Sequence, residues 1–213
     1  MTGFEIVVPV SFNNALLETV PVYGFSDNFN RADNPNGLGY TSGENKPWKR
    51  YNGLTAFGGR VVSNRAVPYD VTGAANGAWG AEVVNANAAN GTLKATLVTA
   101  GSKFGGLTFR ASSNVDFLTL MMRTTGSNST LVLAKKVANT TTTVATSATQ
   151  GIATDGSVFE IVLSGTSITV KCNGVVVIPT QTVTELAGNT EHGLYFNQGS
   201  MDMVWDDVSF TAA

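Results

Sequence analysis

The feature of this sequence that most limits its fold is the dipeptide Asn173-Gly174, which lies between two runs of apolar and β-branched residues. Asn-Gly is the strongest short-range signal for a β-hairpin, because a type I′ turn needs positive φ at both of its central residues. Pairing through this turn places Val170 opposite Val177. Alternate side chains of the first run share one face of a strand. We predict that this face is buried, and it carries Ile168, Val170 and Cys172.

From Phe25 onward the sequence continues as short apolar runs separated by Gly/Asn turns, which is typical of sandwiches and barrels. Phe159, Ile161 and Leu163 alternate with Glu160, Val162 and Ser164, as the two faces of a strand do. Residues 118–122 are apolar on both faces, and we predict that this strand is covered on both sides. No long stretch has the 3.6-residue period of a helix. The sequence therefore predicts an all-β fold.

Charge is scarce in this chain, since 13% of its 213 residues are charged against about 25% in typical domains. Its 13 basic and 15 acidic residues form no basic stripe, so neither nucleic acid nor an anionic membrane surface is an expected partner. The first residues lack the basic segment and apolar run of a signal peptide, and no stretch approaches the ~18 apolar residues of a membrane span. We expect synthesis in a cytosol without membrane insertion.

Residues 1–24 differ in character from residues 25–213, which we predict to form one domain. The first segment is apolar and is interrupted by proline, and such a segment seldom stays free in water. Two interpretations are open: an edge strand added to the domain, or an arm that docks on a neighbouring subunit. The candidate contact residues of such an arm are Ile6, Val7, Val8, Leu16 and Leu17.

The sequence offers no conventional catalytic set. A single histidine, His192, excludes sites with several histidines, and the single cysteine, Cys172, is expected to be a small core residue. Nucleophile-elbow, phosphate-loop and EF-hand patterns are absent. Sandwich glucanases carry Glu-x-Asp-x-x-Glu on one strand, and this chain lacks it; Asp206 and Asp207 would point to opposite faces if extended. We expect no catalytic residue, no metal site, no cofactor and no enzymatic activity.

Three tryptophans are candidates for a sugar-binding platform, because aromatic rings stack on the apolar faces of sugars. Core packing is the favoured interpretation for each, including Trp48 and Trp205. Trp79 lies among small residues in a loop-like segment and is the best candidate for an exposed, ligand-binding ring. Strict alternation in the last strand, residues 203–210, places Trp205 and Val208 on opposite faces.

The stretch from Phe25 to Asp33 reads Phe-Ser-Asp-Asn-Phe-Asn-Arg-Ala-Asp, and Gly37-Leu38-Gly39 and Pro47-Trp48 follow it. This pattern resembles the opening of the concanavalin-like (laminin-G-like) jelly rolls of tailed-bacteriophage virion proteins, especially minor tail proteins of phages of actinobacteria. Further matching segments follow in the family's order, so that the resemblance covers residues 25–210: Val62–Ala66, Gly106–Arg110, Asn173-Gly174, His192–Leu194 and Asp206–Val208.

The resemblance implies a two-sheet antiparallel jelly-roll sandwich with a short N-terminal arm. It also implies a structural component of a phage virion, most directly a minor tail or tail-tip protein, with other virion proteins and copies of itself as partners. Adhesion to a host cell-surface glycan is a compatible added role. The alternatives are a capsid decoration or head-fibre protein, and a carbohydrate-binding module. In the opening motif, Asp27 and Asp33 bracket Arg31, and ion pairing there is expected to lock the first strand to the last.

Overall fold

A computed structural model describes residues 23–52, 57–70, 78–101, 105–125, 128–148, 151–197 and 202–213. The described residues form strands and turns, and none of them belongs to an α-helix. The described part of the chain accordingly holds no helix that is long and apolar enough to cross a membrane. The predicted arm contacts lie outside the described residues: Ile6, Val7, Val8, Leu16 and Leu17.

The strands follow one another closely along the chain. In chain order they are β1 (Phe25–Asp27), β2 (Lys49–Asn52), β3 (Phe57–Val62), β4 (Arg65–Asp70), β5 (Trp79–Asn85), β6 (Gly91–Thr99), β7 (Gly105–Ala111), β8 (Phe117–Thr125), β9 (Asn128–Val137), β10 (Thr140–Thr146), β11 (Ser157–Ser164), β12 (Ser167–Cys172), β13 (Val175–Thr182), β14 (Glu191–Asn197) and β15 (Val204–Ala212).

These strands form two antiparallel sheets. The eight-stranded sheet has the order β13-β12-β11-β6-β15-β4-β3, with β1 paired to β15. The seven-stranded sheet has the order β10-β9-β8-β7-β14-β5-β2. The inner faces enclose one apolar core, whose largest fully buried side chains include Phe57, Phe109, Phe159, Phe196 and Trp205. This two-sheet jelly-roll sandwich confirms the predicted fold class.

The hairpin at Asn173-Gly174 forms as predicted, with φ of 50° and 78° at its two central residues. The first run buries the predicted face, since Ile168 and Val170 are fully buried and Cys172 is 4% exposed. The predicted partner of Val170 is wrong, because Val170 lies opposite Ile178. The ladder shifts register on both sides of Val170, and an inserted residue of this kind makes a β-bulge.

The last strand departs from strict alternation. Asp207 has φ of 48°, and the pairing of β15 with β6 shifts register between Asp206 and Ser209. This bulge returns Val208 to the core side, so that Trp205 and Val208 are both fully buried in the same cluster. The prediction that these two side chains lie on opposite faces is therefore wrong.

The opening motif is held together around Asp27, which is 2% exposed. Its carboxylate accepts hydrogen bonds from Arg31 Nη1 and Nη2 at 2.6 and 2.8 Å, and from Trp48 Nε1 at 2.7 Å. Asp33 instead accepts a hydrogen bond from the Ser63 amide at 2.8 Å. Of the two acids predicted to pair with Arg31, Asp27 therefore forms the ion pair and Asp33 has a different partner. Backbone pairing, with Phe25 opposite Phe210, joins the first strand to the last.

Candidate functional site

The seven-stranded sheet has an apolar outer face, meaning the face turned away from the eight-stranded sheet. Side chains alternate along β5, so that Ala81 and Val83 lie outside while Val84 belongs to the core between the sheets. A second apolar cluster covers this outer face and consists of Ala81, Val83, Ala111, Phe117 and Tyr195, with Tyr51, Trp79 and Met121 packed against it. The strand over residues 118–122 is thus covered on its outer side by the sheet's own side chains.

Trp79 begins strand β5 rather than lying in a loop, and its ring is half-buried in this cluster. The ring stacks on Tyr195 with centroids 6.0 Å apart and lies 5.1 Å from the Phe117 ring. The Lys136 ammonium lies 4.4 Å from the centroid of the Trp79 ring, and burial lowers the pKa of this lysine. The indole already has an aromatic and a cationic neighbour, so it is not a free platform.

The other two tryptophans serve the interior, as predicted. Trp205 is fully buried in the core between the sheets. Trp48 is half-buried, packs against that core, and donates to Asp27 as described above. Neither ring lies on the outer face.

A loop divides the outer face into two parts. Residues 112–116 leave β7 and reach across β14 and β5 to β2 at the edge of the sheet. The Asn114 side-chain amide donates to the Asn52 carbonyl at 3.3 Å, and Tyr51 Oη lies 2.8 Å from the Ser112 carbonyl oxygen. Lys136 Nζ donates to the Asn114 carbonyl at 3.2 Å, which ties the loop to β9 as well. The rings of Trp79, Phe117 and Tyr195, hereafter the aromatic cluster, lie on one side of this loop.

On the other side of the loop lies a recess of about 270 Å³. Four adjacent strands, β7, β14, β5 and β2, each contribute a terminal or near-terminal residue to it. Its lining is mostly polar and consists of Lys49, Tyr51, Asn85, Ala111, Ser112, Gly188, Asn189, Thr190 and Glu191. Residues on sheet strands are positioned more rigidly than residues on loops, which suits a binding site.

Three side chains in the recess form a polar network. Lys49 Nζ donates to Tyr51 Oη at 2.6 Å and to Glu191 Oε1 at 3.2 Å. Tyr51 Oη lies 2.7 Å from Glu191 Oε2, and its one hydrogen serves either this carboxylate or the Ser112 carbonyl. The hydrogen bond to Tyr51 raises the pKa of Lys49, and burial raises the pKa of Tyr51. Lys49 therefore stays cationic and Tyr51 stays a neutral phenol at neutral pH.

Two amide side chains complete the recess and are held in place by the surrounding backbone. Asn85 Oδ1 accepts from Thr190 Oγ1 at 2.8 Å and from the Asn87 amide at 2.9 Å. Asn189 Nδ2 donates to the Arg110 carbonyl at 3.3 Å. Carboxylate, ammonium, phenol and amide groups therefore converge on one small volume, and such groups fix the orientation of a small ligand.

The described lining of the recess carries one carboxylate, Glu191. Most glycoside hydrolases need two carboxylates, separated by roughly 5 to 9.5 Å, to protonate the leaving group and to attack or activate water. No group of three or more His, Cys, Asp or Glu among the described residues could hold a metal ion. The described lining of the recess therefore offers one carboxylate where that mechanism uses two.

The buried acid Glu82 lies on the inner side of β5 and is engaged in structure. Its carboxylate accepts from Arg50 Nε and from the Gly59 amide, the latter at 3.0 Å, and Arg50 Nη2 donates to the Gly59 carbonyl at 2.8 Å. Burial raises the pKa of Glu82 despite the guanidinium beside it. This pair ties β5 and β2 to β3 across the edge of the sandwich.

The single histidine and the single cysteine are interior residues. His192 stacks on Phe210 with ring centroids 4.0 Å apart, and its Nε2 lies 3.0 Å from the Ala88 carbonyl. Burial lowers the pKa of His192 to about 3, so the imidazole is neutral in the folded protein. Cys172 is buried as predicted, and burial raises the pKa of its thiol.

No protein-family model and no curated protein sequence matches the chain. Its fold is that of the jelly-roll carbohydrate-binding and glycosidase domains. The carbohydrate-binding module CBM66 from Bacillus subtilis is 12% identical, covers 77% of this chain and 95% of its own length, and superposes with a TM-score of 0.55.

Two further solved structures illustrate the same fold. The CBM2 module of the Lactobacillus casei BL23 phage J-1 evolved Dit is 16% identical over 89% of this chain and 96% of its own, with a TM-score of 0.52. The Bacillus licheniformis β-glucanase is 12% identical over 90% of this chain and 99% of its own, also with a TM-score of 0.52. At these identities the likeness shows the fold alone.

Proposed function

We propose that this protein is a carbohydrate-binding module without enzymatic activity, and that the recess at Glu191 holds the sugar. The observation that carries the proposal is the convergence of Lys49, Tyr51, Asn85 and Glu191 on a recess of about 270 Å³. A sugar presents hydroxyl groups that both donate and accept hydrogen bonds, and this lining offers donors and acceptors on rigid strands. The fold shared with proteins described as carbohydrate-binding modules supports the same function.

Binding to a glycan array, followed by calorimetry with the best ligand, tests this function. Glu191→Gln keeps the shape of the side chain but removes its charge, and hydrogen bonds to charged groups contribute about 1.5–3 kcal/mol. We expect the variant to bind about tenfold or more weakly. Glu160→Gln on the other sheet is the matched control and should bind like the unmodified protein. Absence of any glycan ligand, or equal affinity of Glu191→Gln, contradicts the proposal.

The aromatic cluster around Trp79 is the other place on the outer face where a sugar could stack. The sequence favours this ring, and removal of the Lys136 ammonium from its face would expose it. Trp79→Ala, tested with the same glycan, distinguishes the two sites. A small loss for Trp79→Ala beside a large loss for Glu191→Gln places the sugar in the recess. The reverse order moves the site to the aromatic cluster.

A place in a phage virion is our second proposal, and it concerns location and partners. Its support is the resemblance over residues 25–210 together with the fold shared with a module of a phage J-1 protein. In this proposal the protein belongs to a tail or tail tip, and residues 1–24 contact other virion proteins and further copies through Ile6, Val7, Val8, Leu16 and Leu17. Detection of the protein in purified particles tests the location. Its absence from particles contradicts it.

A further inference from the structure

We infer that the recess accepts one neutral sugar at the end of a glycan chain, rather than an internal stretch of a polysaccharide. The inference rests on the proposed function, because it names the class of glycan that the same site can take. Three features carry it: the loop over the outer face, the open approach to the recess away from that loop, and the balance of charge in its lining.

The loop of residues 112–116 blocks passage along the outer face. Tyr51 Oη lies 2.8 Å from the Ser112 carbonyl oxygen, and the Asn114 side-chain amide donates to the Asn52 carbonyl at 3.3 Å. The loop and β2 are therefore in direct hydrogen-bond contact. Beneath and beyond it, Ala81 and Val83 are fully buried by neighbouring side chains. A glycan that lay along the face would have to pass through this closed region. An internal stretch therefore cannot continue from the recess toward the aromatic cluster.

Residues 188–190, which directly precede β14, line the recess and continue the β5–β14 pairing by one residue beyond the strand ends. The Thr190 carbonyl accepts from the Ala86 amide at 2.9 Å, and the Thr190 hydroxyl donates to Asn85. Asn189 is anchored to the Arg110 carbonyl. These residues extend the floor of the recess, which is open to solvent away from the loop of residues 112–116. A glycan chain can therefore enter the recess but cannot continue past the loop.

The volume and the charges of the recess define the sugar further. A volume of about 270 Å³ lies just below the roughly 300 Å³ at which pockets for drug-sized ligands begin, so it suits one ring and not several. Its described lining carries one cation and one anion, Lys49 and Glu191, which form an ion pair at 3.2 Å. An acidic sugar would lie beside the Glu191 carboxylate without a spare cation, so a neutral sugar is favoured.

Matched glycans test this inference. The probes are neutral monosaccharides linked to the array through their anomeric carbon, the same sugars extended at the free end by a further neutral residue, and the same sugars carrying a carboxylate. For the sugar that binds, we expect the extended form and the carboxylated form each to bind at least about tenfold more weakly, a change of about 1.4 kcal/mol. Calorimetry with the soluble methyl glycoside should give an affinity close to that of longer chains ending in the same sugar.

The outcomes separate this inference from the proposed function. If extended chains bind as well as or better than the terminal sugar, and Glu191→Gln still abolishes that binding, the recess binds glycans but the chain-end inference is overturned. If acidic sugars bind best through the recess, the inference of a neutral ligand is overturned. If glycan binding is insensitive to Glu191→Gln, the proposed site itself is wrong.

Discussion

At the scale of single residues, His192 shows how burial suppresses a charge. The imidazole lies inside the sandwich against Phe210, with Nε2 beside the Ala88 carbonyl and Nδ1 accepting from the Arg110 amide at 3.4 Å. Protonation would put a second cation next to the Arg110 guanidinium, and this repulsion adds to the larger effect of burial in lowering the pKa. The residue is a structural part of the fold in its neutral form.

His192 makes the protein less stable in acid. Its pKa is about 3 in the folded state and about 6.5 in an unfolded chain. Between these values the unfolded chain binds a proton that the folded protein does not, so stability falls as pH falls, by up to about 1.4 kcal/mol per pH unit. Urea unfolding of the unmodified protein and of His192→Gln at pH 7.0, 5.5 and 4.5 measures this.

We expect His192→Gln to lose less stability than the unmodified protein between pH 7.0 and pH 4.5, whatever its absolute stability at pH 7.0. Carboxylates titrate equally in both proteins and cancel in the comparison. Parallel losses in the two proteins would show that His192 is protonated without cost in the folded state.

The sequence contains little that could reveal which residues form the recess. Lys49 and Glu191 lie 142 positions apart in the chain. They meet because β2 pairs with β5 and β5 pairs with β14, with Lys49 opposite Val83 and Glu191 opposite Asn85. Neither pairing follows from local patterns, so polar residues at strand ends looked like ordinary surface positions. Trp79 was a candidate because aromatic rings stack on sugars and because small residues surround it in the sequence, whereas asparagine and threonine are abundant in this chain.

At the scale of elements, the hairpin between β12 and β13 was predictable because one dipeptide specifies its turn. Gly174 has φ of 78°, and a Cβ added there would meet no atom within 4 Å. Substitution by alanine therefore costs only the strain of a left-handed conformation, about 1–2 kcal/mol.

We expect Gly174→Ala to lower the free energy of unfolding by that amount, as measured by urea denaturation. Gly188→Ala is the matched control, since a Cβ at Gly188 also meets no atom within 4 Å and its φ is not in the left-handed region. A Gly174→Ala variant as stable as the control would show that the turn relaxes to another conformation.

The bulges were the part of the strands that alternation could not predict. A period of two assigned the buried faces of β11 and β12 correctly, including Ile161 and Val170. It failed at Asp207, where positive φ inserts a residue into the ladder, and it did not predict the register shifts of β13 against β12 on both sides of Val170. The neighbouring strand decides where an extra residue is accommodated, and a single strand's sequence does not contain that information.

At the scale of the whole molecule, the first and last described strands close one sandwich. β1 pairs with β15, and Gly24 donates its amide to the Ala86 carbonyl at 2.8 Å. Phe25 and Phe29 are 2% and 0% exposed, and both belong to the central core. The apolar opening that resembled a family motif is therefore an integral part of the core.

Truncation tests how the chain start contributes to stability. A chain beginning at Tyr23 retains every described strand, and we expect it to unfold cooperatively in a thermal melt. A chain beginning at Asn30 lacks Phe25 and Phe29, and truncation of one buried Phe costs about 3–5 kcal/mol. Together these losses approach the 5–15 kcal/mol that typically stabilises a domain, so we expect loss of a cooperative transition. Equal melting of the two chains would contradict the role assigned to β1.

The scarcity of charge in this chain is consistent with the neutral polar ligand that we propose. Its formal net charge is −2, so long-range electrostatic steering contributes little and recognition depends on short-range hydrogen bonds. The position of the ligand relative to these hydrogen-bonding side chains is therefore the property to measure.

Amide chemical-shift mapping tests that position most directly. The labelled protein is titrated with the neutral monosaccharide glycoside that binds best on the array, and two-dimensional 15N–1H spectra are recorded. We predict that the largest saturable shifts fall on the recess, at residues 49–51, 85, 111–112 and 188–191. Largest shifts at the aromatic cluster around Trp79, or on the eight-stranded sheet, would contradict the assignment of the recess as the sugar site.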